Sequence, residues 1–355
     1  MSTIHSEIRV APAGGEEGRV TGGARRGRAA RVALRLLGPL IFGLLVWTSD
    51  LSAIAAVLLG AVAWMLAAAA GLNIVIIAIK AWRWRLLLRM QGVEYPFSRL
   101  VRYFAIGAGV AAWTPGRMGD FLRAVAVHRE KDMGLGRAVS SVLADRLMDA
   151  AAMAVAALAG ILLLPGIGPR QRMLIGAVAI AALAIAAWML RRGGSSVRRG
   201  AGEVVGLLGA ARRQVGAVVD GLSVLWRPAI ILPCCVTAVV TLVTFLQGFL
   251  VARGLTIDVG FWRLAAALAA ASIASLLPVS VAGIGTREAT LMFLLAPVGI
   301  GLGRVLGFSV AFLAISNGSM ALIGGIAWCL PGPRERPSVD GDPGMPYNTP
   351  PRVGG

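Results

Sequence analysis

Three short segments combine residues able to do chemistry with sequence that is otherwise apolar. The first is Thr114-Pro115-Gly116-Arg117-Met118-Gly119-Asp120, with Arg123 three residues on, and the second is Leu277-Pro278 through Gly283-Ile284-Gly285-Thr286-Arg287-Glu288. The third, Asp145-Arg146-Leu147-Met148-Asp149, sets two carboxylates at i and i+4 on one helical face with Arg146 beside them. Guanidinium groups grip phosphate or carboxylate oxygens in forked pairs, and amides left open where a helix starts attract anions. Facing carboxylates can also pass protons. A charge in hydrocarbon costs ~2.5 kcal/mol or more and an unpaired peptide group is also costly, so such segments persist where protein or a watery cavity covers them.

Each segment has a structural and a functional reading. Pro115 and Gly116 stop a helix, and Gly119 with Asp120 can restart one. Asp120 and Arg123 then share a face, where they either neutralise each other or Asp120 steers Arg123 toward a lipid phosphate. Asp145 and Asp149 fit an ion-pair network with Arg123 or Arg287 first, a proton relay second, and two-carboxylate glycoside hydrolysis a distant third, since nothing else builds a sugar cleft. Pro278, Gly283 and Gly285 break the second apolar run before Arg287-Glu288 opens a new helix. A glycine-rich turn before a helix is the pattern of a phosphate-binding loop, but the signal is weak, because no strand precedes it and no Walker lysine follows.

Other chemistries lack parts. His5 and His128 fall outside the apolar runs, Cys234, Cys235 and Cys329 have no metal or disulfide spacing, and no Ser/His or Cys/His arrangement is visible. We expect no metal, no cofactor and no catalytic residue, which leaves transport as the stronger class.

The elements that position these residues are membrane helices. The chain is 57% hydrophobic, with a mean hydropathy of +0.77. The formal charge of +18 lies between apolar runs, where it orients helices and meets anionic lipid; nucleic acid is not the expected partner. The fold class expected is all-α, a polytopic integral membrane protein of about six transmembrane helices at 33–49, 53–79, 138–164, 172–190, 228–250 and 303–329. Runs 100–114, 262–277 and 288–299 read as arms of two re-entrant broken hairpins. Asn73, Gln247 and Asn317 inside the apolar stretches read as glue between helices.

Arginine placement puts both termini in the cytoplasm. The tail carries Arg25, Arg26, Arg28 and Arg31, a second basic loop carries Lys80, Arg83, Arg85 and Arg89, and the stretch after 190 carries Arg191, Arg192, Arg198, Arg199, Arg212 and Arg213. Trp82, Trp84 and Trp226 then fall near interfaces. Residues 1–32 read as a disordered basic cytoplasmic tail and 331–355 as a disordered C-terminal tail. Within the basic loop 191–225, Val204, Leu208, Ala211, Val215, Val218 and Leu222 keep a helical period, so an amphipathic helix and an ordinary glycine-containing loop both fit. With this topology the hairpins enter from opposite sides, as in transporters built from inverted repeats; two unrelated kinks are the alternative.

These same residues resemble a known family. Asn73 with Lys80-Ala81-Trp82-Arg83-Trp84, then Pro115 through Arg123, then Asp145 through Asp149, then LLPVSVAGIGTREA from Leu276 are similar in order and spacing to the flippase-like membrane family typified by the transmembrane domain of lysylphosphatidylglycerol synthases. The resemblance covers roughly residues 35–330 and makes 33–330 a flippase-like transmembrane domain. Family members often have Glu where Asp145 stands, and the soluble lysyl-transfer domain of the synthases is not expected here. The resemblance implies translocation of an anionic or polyprenyl-linked lipid across the cytoplasmic membrane. The alternative is an accessory or scaffold role beside a glycosyltransferase or aminoacyl-transferase. The headgroup site it implies gathers Arg83, Arg117, Asp120, Arg123, Asp145, Arg146, Asp149, Arg287 and Glu288.

Overall fold

The computed structural model describes residues 57–131, 133–163, 216–218, 220–275 and 285–330, with scattered positions between 168 and 180. All regular elements among these residues are helical. In chain order they are α1 (Ala63–Met90), α2 (Phe97–Ala111), a 3-10 turn (Pro115–Phe121), α3 (Leu122–Lys131) and α4 (Leu135–Leu163), followed by α5 (Ile231–Gly254), α6 (Phe261–Ala274), α7 (Thr286–Leu295) and α8 (Leu302–Cys329). Three helices, α1, α5 with its 3-10 entry from Pro228, and α8, are long and apolar enough to cross a membrane. Helix α4 has 29 residues but carries Asp145, Arg146 and Asp149 in its middle. The expected spans 33–49 and most of 172–190, both tails, most of the 191–225 loop and the break at 276–284 with Pro278 and Gly283 lie outside the described residues.

One order of elements occurs twice: a long helix, a short helix running into a Pro/Gly break, a short helix leading away, and a second long helix. The contacts follow the same exchange. Helix α1 packs on α5; α2 packs on α8 while α6 packs on α4; α3 lies on α4 and α7 on α8. One apolar core joins α4, α5, α6, α7 and α8 around Phe245, Leu268, Leu291 and Phe308. Another joins α1, α2, α3 and the start of α4 around Trp84, Leu100 and Val127. In lipid the drive to pack helices is close fit more than water exclusion, so small residues mark the crossings. At the α2/α8 crossing a Cβ on Gly324 would stand 2.7 Å from the Ala105 carbonyl oxygen. Arg102 adds a polar tie there, donating to the carbonyls of Ala327 (3.0 Å) and Leu330 (2.6 Å) at the C-terminal end of α8.

The first break is short because it folds back on α2. A Cβ on Gly119 would lie 2.3 Å from the Ala111 amide nitrogen, so only glycine fits. Pro115 opens the 3-10 turn, and Arg117 takes a left-handed backbone with φ 55°, costly for a residue with a side chain. The Thr114 hydroxyl accepts from the Gly119 amide (2.9 Å), covering one opened peptide group. Beyond α3, burial pushes the Tyr95 phenol up to about 12, so it stays protonated and donates to the Val127 carbonyl (2.9 Å).

Two expectations need correction. The basic stretch from Lys80 to Arg89 is not a loop: α1 begins ten residues later than the expected span and runs through it to Met90. Lys80 and Arg83 find carboxylate partners on α4, so the helix need not end at its first charge. Trp84 is not interfacial but fully buried, its indole N–H donating to Ser141 Oγ (3.0 Å). Trp82 and Trp226 are exposed.

Candidate functional site

The i and i+4 carboxylates of α4 meet a complementary pair on α1. Lys80 and Arg83, three residues apart, face them: Lys80 Nζ reaches Asp149 Oδ2 at 2.6 Å, and Arg83 reaches Asp145 Oδ1 at 2.6 Å and Asp149 Oδ1 at 2.7 Å. Arg83 also donates to the Asp145 carbonyl (3.2 Å) and to Thr237 Oγ1 on α5 (3.0 Å), which ties three helices together. Arg123, from α3, takes the other oxygen of Asp145 at 2.6 Å. Arg83, Arg123 and Asp145 are each almost wholly buried. A buried ion pair of this kind survives when each partner's remaining groups are satisfied, and losing one partner strands a charge.

Asp120 and Arg123 do not pair with one another, although they share a helical face. Arg123 turns into the core beneath the rings of Phe104 (4.3 Å) and Trp84 (5.1 Å), while Asp120 binds Arg146 of α4 and lies 3.6 Å from Arg117. The tertiary partner wins because α4 brings both Asp145 and Arg146 to the break, leaving no need for a weak pair within the turn.

The second break is built differently. Gly285 has φ 90° and caps α7, and its amide donates to Glu288 Oε2 (2.6 Å); Ser309 Oγ of α8 donates to Glu288 Oε1 (2.6 Å). Glu288 is thus a helix cap. Arg287 stands over the ring of Phe312 at 4.9 Å, and its Nη2 is buried without a hydrogen-bond partner among the described residues.

The first break and Arg287 of α7 line one cavity of about 260 Å³. Lys80, Arg117, Arg123, Arg146 and Arg287 line it with Asp120, Asp145 and Asp149, so cationic groups outnumber carboxylates five to three. Asn73, Gln247 and Asn317 lie on its wall. Asn73 donates to the Ser316 carbonyl (3.2 Å) and to Ser319, and Gln247 donates to the Ala69 carbonyl (2.8 Å), so two of these amides also tie helices together. Arg83 lies behind the lining and Glu288 outside it.

Sequence reasoning missed several contributors. Lys80 was legible in principle, since its i, i+3 spacing with Arg83 matches the i, i+4 spacing of Asp145 and Asp149. Thr237, Phe104, Phe312 and Ser309 carry no sequence signal, because each is brought in from a separate helix. Among the described residues no group of histidines, cysteines and carboxylates has the arrangement of a metal site.

A helical membrane bundle with a charged internal cavity, lined by the first backbone break and by the start of α7, is the class these features define. Residues 35–324 match the lysylphosphatidylglycerol synthase TM region family, and the chain belongs to it. No curated protein matches the chain. Membership ties this membrane protein to lipid modification or transport.

Proposed function

We propose that the protein is a translocase of a lipid with an anionic headgroup, a phospholipid or a lipid-linked glycan, in the cytoplasmic membrane, and not an enzyme. The observation that carries this reading is the cavity's unmet donors. Arg287 Nη2 and the Nε and Nη1 atoms of Arg123 are buried with no hydrogen-bond partner among the described residues, and they border a space where cations outnumber carboxylates. Unsatisfied buried donors are expensive unless a ligand completes them, and a phosphate has the charge and oxygens to do so.

An apolar groove of about 880 Å³ between α4, α5 and α6 supports a place for the tail. It begins at Met148 and Thr237, beside the Asp149 and Arg83 pairs, and runs past Val155, Phe245 and Trp262. The headgroup sits among the arginines while the acyl or prenyl chain stays in lipid. The repeated order of elements and the exchange of contacts, α2 on α8 against α6 on α4, support two structural repeats that rock about the cavity, and the arginine placement supports both termini in the cytoplasm.

A second reading has its own support: the ion pairs of Arg83 and Arg123 with Asp145, which tie three helices, fit a non-transporting scaffold or an accessory subunit of a glycosyltransferase or other lipid-modifying system. Reconstitution separates the two. Purified protein in liposomes doped with labelled phosphatidylglycerol should speed leaflet exchange, and Arg287→Gln should cut that exchange roughly tenfold or more, the worth of a charge-assisted hydrogen bond. Folded wild-type protein that moves neither phosphatidylglycerol nor a polyprenyl phosphate would leave the scaffold.

A further inference from the structure

A second basic cleft, of about 650 Å³, lies at the end of the bundle where α1 finishes and α4 begins. Arg89 reaches it from the last turn of α1, Arg137 from the first turn of α4, and Arg227 from the link into α5. Among the described residues the cleft's one carboxylate is Asp220. Arg137 has no ion pair among the described residues, and Arg89 shares only a loose surface contact of 3.4 Å with Glu94.

The walls are fixed in place. Arg227 donates to the Met90 carbonyl (2.8 Å), and Gln91 donates both to Ser140 Oγ (3.1 Å) and to the Gly221 carbonyl (3.3 Å). Val224 is buried against Leu87, Ala144 and Met148, and Gly221 packs so tightly on Ser140 that no side chain would fit between them. Three arginines from three elements therefore line one space whose walls are held in place, with Arg89 and Arg137 on its exposed rim. The opening lies at the bilayer's edge, since it sits at the ends of two long helices, and Trp226, next to Arg227, is 67% exposed as an interfacial ring would be. Basic pockets between helices at that depth hold lipid phosphates.

We infer that this cleft binds a phosphate-bearing anion, in the membrane the phosphodiester headgroup of an anionic lipid, at a site separate from the central cavity. Arg89 and Arg137 supply the charge and Arg227 holds the wall while adding to the field. A lipid seated here bridges the ends of α1 and α4, the two helices that carry the Arg83, Asp145 and Asp149 pairs.

The test uses the full chain carrying Arg287→Gln, which weakens the central cavity's hold on an anion, in phosphatidylcholine nanodiscs containing dioleoyl phosphatidylglycerol. Retained lipid is counted by native mass spectrometry. Phosphatidylglycerol should be retained over phosphatidylcholine, and adding Arg137→Gln should lower that preference about fivefold, with a further loss on adding Arg89→Gln. Both side chains are on the surface, so melting temperature should hold; retention that ignores both substitutions in folded protein overturns the site. Displacement by millimolar inorganic phosphate assigns the cleft to a free anion, whereas resistance to it assigns the cleft to lipid. Because leaflet exchange is not measured here, this result stands apart from the transport reading.

Discussion

Around the first break Asp145 accepts from Arg83 and Arg123 at 2.6 Å each, whereas at the second break Glu288 turns away to cap Gly285 and leaves Arg287 facing the ring of Phe312. Both segments read alike as Pro/Gly interruptions followed by an arginine. The difference lies in what the neighbouring long helix offers: α4 carries Asp145 and Asp149 opposite the first break, while α8 offers Ser309 and Phe312 opposite the second. One side of the cavity is thus tied by ion pairs between helices, and the other presents an arginine with no ion pair among the described residues. A binding site needs both, since donors aimed at a ligand must be held by groups that do not move.

The largest effect expected from this contrast is at Asp145. Asp145→Asn strands Arg123 in the core and leaves Arg83 with Asp149 as its remaining carboxylate, and breaking a buried pair costs about 3–5 kcal/mol. The protein should fail to accumulate in membranes, read by quantitative blotting and by detergent-solubilised melting. An Asp145→Asn protein as stable as wild type would dissolve the contrast between the breaks.

Arg287→Gln should do the opposite, keeping protein level and melting temperature within a few degrees while leaflet exchange falls. If instead it unfolds the protein, the second break is a clamp like the first. Glu288→Ala falls between, because it uncovers the Gly285 amide and the Ser309 hydroxyl but strands no charge; a loss of about 1–3 kcal/mol is expected from denaturant or thermal titration. The smallest effect belongs to the exposed pair Arg253 and Asp258 at the end of α5, 2.8 Å apart. Asp258→Ala should shift stability by about 0–1 kcal/mol, as surface pairs do, which calibrates the other measurements.

Much of this was legible from residues alone. The ends of α2, α6 and α7 fall close to where Pro115, Leu277 and Glu288 predict them, because proline, glycine and charge interrupt an apolar helix whatever packs around it. The i, i+4 carboxylates announced that a cationic partner was needed. Which cation came was not legible: Asp120 passes over Arg123 for Arg146, and Lys80 and Arg83 arrive from a stretch that reads as a loop. The positive-inside rule counts those charges as flanking residues, but once neutralised they stay within a helix.

The sequence by itself determined that the chain is a helical membrane protein with two interrupted segments, since hydrocarbon enforces internal hydrogen bonding and penalises charge without regard to topology. The tertiary structure alone decided that Arg123 is clamped and Arg287 is not. Pairing within a turn is worth only tenths of a kcal/mol, whereas a carboxylate delivered by another helix into a water-poor core decides where each arginine points.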